Sequence, residues 1–149
     1  MNNKENYPTW LVPLDIAQEL KAIGFDVPCH FHFLYYHGWE MLKKRGDEYG
    51  FITSNSCRAY LVENHNAIGK LSVPTWEQVF QWFREKGFYS YIVKKSSPER
   101  YVFYIICGMI TCSNENLKAD LLPISYEESR EELIYKLIEM YKETKMSKK

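Results

Sequence analysis

The chain has 149 residues, enough for one domain that buries roughly 70% of its unfolded surface. With 46% hydrophobic and 26% charged residues the composition is that of a folded chain, which excludes intrinsic disorder. Lysine plus arginine equals aspartate plus glutamate at 19 each, so no net field draws nucleic acid or anionic lipid from a distance.

In chain order, the N-terminus MNNKENYPTW has no apolar run of signal-peptide type, and the first element is a helix. Pro13 suits its first turn, Ile16, Ala17, Leu20 and Ile23 form its apolar stripe, and Gly24 is its stop. A strand follows over Cys29–Tyr36. Its alternation sets Cys29, Phe31, Phe33 and Tyr35 on one face, expected to meet the helices, and His30, His32, Leu34 and Tyr36 on the other, expected outward. His37-Gly38 is expected to turn a hairpin. Residues 46 to 72 carry no clear period beyond a short strand expected around Arg58 to Val62.

The second helix begins with a capping box, Thr75 and Gln78, carries Trp76, Val79, Phe80 and Phe83, and ends at Gly87. Trp82 lies off that stripe and widens its apolar face. Phe25 and Phe88, each just past a glycine stop, are expected to pack back on their helices. Tyr89–Lys95 and Tyr101–Thr111 flank SSPER and form a hairpin. After Pro123, Ser125 and Glu128 form another capping box. Leu133, Ile134, Leu137, Ile138 and Tyr141 then form a buried stripe, and Glu132 and Lys136 an i,i+4 ion pair. Acidic residues near this helix start and lysines near its end suit the dipole. The order α-β-β-α-β-β-α, with a helix-Gly-Phe-strand unit used twice, gives an α+β fold. It is expected as a single domain over 1–149 with helices on one face of a mostly antiparallel sheet, and with flexible ends at 1–10 and 144–149.

SVPTWEQVFQWFREKGF and PISYEESREELIYKLIEMY together resemble a family of small uncharacterised proteins frequent in gut-bacterial genomes and their prophages. The resemblance covers about residues 71 to 141. It implies a phage or mobile-element origin, and because that family has no assigned activity it transfers no catalytic or binding residue.

His30 and His32, two apart on a strand, have the spacing that directs two imidazoles at one metal, which would support a metal-dependent enzyme. A third ligand would come from His37, His65, Asp26 or Cys57; solvent-facing polar positions explain the pair equally well. Cys29, Cys57, Cys107 and Cys112 show no Cys-x-x-Cys spacing and are expected as reduced thiols, three of them in strand-like surroundings that suggest burial. The chain has no phosphate-binding glycine loop, no enzyme signature and no cofactor motif. Tyr89, Tyr91, Lys94, Lys95, Arg100, Tyr101 and Tyr104 interleave rings with cations along the hairpin, as in sheets that bind single-stranded nucleic acid; a cross-strand tyrosine ladder needs no ligand. The expectation is a cytoplasmic, aromatic-rich, non-catalytic binding protein. Its partner is another protein or a second copy, with no membrane and no cofactor, and single-stranded nucleic acid is the alternative ligand. The expected surface comprises His30, His32, Tyr36, Tyr89, Tyr91, Lys94, Lys95 and Arg100.

Overall fold

A computed structural model describes residues 9–29, 31–34, 52–54, 70–96 and 98–147. The fold is α+β, with helices α1 (Leu14–Ala22), α2 (Trp76–Glu85) and α3 (Tyr126–Ser147). Its strands are β1 (Phe31–Leu34), β2 (Ile52–Ser54), β3 (Lys70–Val73), β4 (Phe88–Ser96), β5 (Glu99–Cys107) and β6 (Ile110–Ser113). Every strand pairing is antiparallel, but the strands form two three-stranded sheets, β2-β1-β3 and β4-β5-β6. Two compact units, residues 1–79 and 80–149, divide the chain within α2.

In the first unit α1 packs against β3 and buries Ile16, Ala17 and Leu20, as its stripe predicts. Pro13 stands one position earlier than expected, at the N-cap, where its carbonyl accepts the Ala17 N–H at 3.0 Å. Gly24 has a φ of 92° and its N–H bonds to Lys21 O, while Phe25 N–H bonds back to Leu20 O at 3.0 Å. These two bonds satisfy carbonyls that the helix end leaves open, and they turn the buried Phe25 ring onto the helix.

β1 pairs with β2 and β3, neither of which the sequence pattern predicts, and covers only part of the expected strand. The expected turn at His37-Gly38 and the strand around Arg58 to Val62 lie outside the described residues. Leu11 bridges Thr75, Val12 N–H donates to Pro74 O, and the Trp76 indole donates to Thr9 O at 2.9 Å. Residues 9 and 10, expected in a flexible end, are thus tied in. The capping box forms as predicted: Thr75 N–H donates to Gln78 Oε1 at 2.9 Å, and Gln78 N–H to Thr75 Oγ1 at 3.2 Å.

In the second unit α3 packs on β4 and β5. Leu133, Ile134, Leu137, Ile138 and Tyr141 are buried as predicted, and Tyr141 meets Trp82, Phe83 and Phe88 in one ring cluster. Glu128 N–H donates to Ser125 Oγ, but the Glu128 carboxylate reaches Ile124 N–H rather than Ser125 N–H. Lys136 pairs with Glu139 at 2.7 Å instead of Glu132. The helix runs on through residues 144–147, four positions expected in a flexible end. The strand expected from Tyr101 to Thr111 breaks at Gly108-Met109, where a turn with Gly108 at φ 61° folds β6 back on β5.

Two stability outcomes follow. Gly87 has a φ of 93°, and a Cβ there would meet nothing within 4 Å, so Gly87→Ala tests backbone strain alone. Chemical denaturation is expected to show a loss of about 1–2 kcal/mol. The Ser129 hydroxyl is buried with no hydrogen-bond partner. Ser129→Ala removes that unpaired group and is expected to leave stability unchanged or to raise it by about 1 kcal/mol.

Candidate functional site

Successive residues of a strand point to opposite faces, so the register of β4 and β5 sorts their side chains into two sets. Phe88, Ser90, Ile92 and Lys94 share a face with Cys107, Ile105, Phe103 and Tyr101. Buried Phe88, Phe103 and Ile105 mark it as the core side. Tyr89, Tyr91, Val93 and Lys95 share the other face with Ile106, Tyr104, Val102 and Arg100. That face is open: Tyr89 is 56% exposed, Tyr91 49%, and Val93 and Ile106 38% each. It closes at Val102, which is fully buried.

Tyr91 and Tyr104 stack across the strands with centroids 5.0 Å apart and planes 18° from parallel. The Tyr104 hydroxyl donates to Glu115 Oε2 at 2.9 Å, and this hydrogen bond to the carboxylate raises the phenol pKa. The Arg100 guanidinium donates to Ala119 O and Glu99 O, both at 2.8 Å. The Lys94 ammonium lies 2.9 Å from Glu99, whose hydrogen bond raises its pKa. Lys95 is left as the cation of this group without such a tie among the described residues.

The predicted surface is thereby divided. Tyr89, Tyr91, Lys95 and Arg100 share one face, and Lys94 lies on the other. His30 and Tyr36 lie outside the described residues, as do His37, Cys57 and His65. His32 is placed by its backbone between Thr53 and Ser72. Ser72 is buried, so β3 is covered at the position opposite His32. Asp26 is exposed, and among the described residues no three His, Cys, Asp or Glu side chains gather as a metal site. Val93, Ile106 and Glu115 escaped the sequence reading. The signal for them is the register: once the turn is centred at 97–98, Tyr89 must face Ile106 and Tyr91 must face Tyr104.

Among the described residues Cys29, Cys107 and Cys112 are free; Cys29 is buried, while the other two, expected in buried strand surroundings, are half-buried. The Cys29 thiol donates to Val27 O at 3.2 Å. Burial pushes it up to about 12, while a hydrogen bond with Ser72 pulls the other way. Such a thiol is protonated at neutral pH and is no nucleophile. No helix among the described residues is long and apolar enough to cross a membrane.

No family model matches the chain, and comparisons with curated proteins and with solved structures bring no match.

The contrast among thiols is measurable. At about pH 8, iodoacetamide is expected to label Cys107 and Cys112 on the native protein and Cys29 only after denaturant is added. Peptide mass spectrometry reads the order; early labelling of Cys29 contradicts its burial.

Proposed function

We propose that the protein is a non-catalytic binding protein that holds a protein partner on the open face of β4 and β5. The observation that carries this is the joint exposure of Tyr89, Tyr91, Val93 and Ile106 on one side of a sheet whose other side is the core. Contiguous exposed apolar surface marks contact sites. Tyrosine suits such a site because its ring contributes large contact area with little rotamer entropy to lose.

Single-stranded nucleic acid is the second reading, favoured by exposed rings beside Lys95. Three features weigh against it. Tyr91 and Tyr104 stack on each other and so cover ring faces that a base would use. Arg100 and Lys94 are engaged within the hairpin and its neighbouring chain. The Glu115 carboxylate at Tyr104 places negative charge beside the face, where phosphates are repelled.

The test is affinity capture from the native host with wild type and with Tyr89→Glu/Tyr91→Glu. The wild type is expected to retain a nuclease-resistant partner. The double variant is expected to lose it at an unchanged melting temperature, since both side chains point away from the core. A partner retained equally by the variant contradicts the proposal. A ligand lost on nuclease treatment, with binding that weakens as salt rises, selects the nucleic-acid reading instead.

A further inference from the structure

Strand β4 borders its sheet, and its nine residues offer a long strand edge. Which backbone groups point to that edge follows from β5. Tyr101 N–H donates to Pro123 O at 3.0 Å, and Phe103 N–H to Asn114 Oδ1 at 2.9 Å, bonds that leave neither N–H for β4. Backbone groups alternate sides along a strand, so Arg100, Val102, Tyr104 and Ile106 direct theirs at β4. Their register partners Lys95, Val93, Tyr91 and Tyr89 answer them. The N–H and C=O groups of Ser90, Ile92 and Lys94 therefore point to the outer side. Among the described residues no strand lies beyond them.

We propose that this edge pairs with the same edge of a second copy of this chain, antiparallel about Ile92, joining the two β4-β5-β6 sheets into one. Ile92 is the midpoint of Phe88–Ser96, so a two-fold axis there engages the whole strand. Ser90 then faces the partner's Lys94, Tyr89 faces the partner's Lys95, and Tyr91 faces the partner's Val93.

Charge selects this arrangement. Lysines guard strand edges because like charges placed opposite one another repel. Lys94 and Lys95 stand together toward one end of β4, and both are exposed. A parallel partner would bring the two lysine pairs side by side. The antiparallel partner sets each lysine against a serine or a tyrosine, and Lys95 gains the face of a ring. The guard that excludes other pairings thus admits this one.

Two measurements decide it. In sedimentation, the wild type is expected to dimerise as concentration rises. Ser90→Pro removes one outward N–H without touching the β4–β5 bonds, and is expected to weaken the dimer by about ten-fold or more. In the second, Tyr91→Cys is mixed with Val93→Cys under mild oxidant. Directly opposite residues of a non-hydrogen-bonded pair have Cα atoms about 4.5 Å apart, within disulfide range. The mixture is expected to cross-link several-fold more than either variant alone, which also controls for the native cysteines. Circular dichroism confirms that each variant is folded. A wild type that stays monomeric overturns the proposal, as does a dimer indifferent to Ser90→Pro or cross-linking equal in mixture and single variants. Ser90→Pro leaves the exposed rings in place, so failure here leaves the open-face proposal standing.

Discussion

Tyr141 is the point on which the second unit depends. Its ring lies 5.0 Å from Trp82, 6.3 Å from Phe83 and 6.2 Å from Phe88, so a late turn of α3 holds the end of α2 and the first residue of β4. The reversal at Gly87 lets Phe83 and Phe88 reach the same tyrosine from either side of the stop. Fixing Phe88 inward decides the rest of the strand, because a slip of one residue exchanges the two faces. Tyr89, Tyr91 and Val93 are exposed because Phe88 is not. The surface assigned to binding is therefore set by a core contact.

What was legible in the sequence is what is encoded locally. The box at Thr75, the stops at Gly24 and Gly87 and the apolar stripe of α3 each depend on residues a few positions apart, and each forms. β2 and β3 were not legible, since three and four residues are too few for alternation to show. Lys70–Val73 also runs straight into Pro74, and there it resembles the lead-in to a helix. The apolar run from Tyr101 to Ile110 concealed a turn that Gly108 alone announces.

The repeated helix-Gly-Phe-strand unit shows the same limit. Both copies end their helices alike, yet their sheets are threaded differently. In the first sheet the central strand is β1, earliest in the chain, and in the second it is β5, the middle of a meander. Strand order follows from contacts distant in sequence, so a local echo cannot carry it. The open face was half legible for the same reason. Its tyrosines and lysines stood out, but separating Lys94 from Lys95 and adding Ile106 required the register.

The two borders of the second sheet are unequal. β4 is nine residues long, whereas β6 has four, and the chain beyond it turns back at once so that Asn114 and then Pro123 occupy the remaining side of β5. A side-chain amide and a proline carbonyl stand there in place of a strand, and neither supplies the repeating donors and acceptors on which a further chain could be laid. The sheet is thus extensible in one direction only. Runaway stacking into filaments needs two usable borders per molecule, and this architecture withholds one of them.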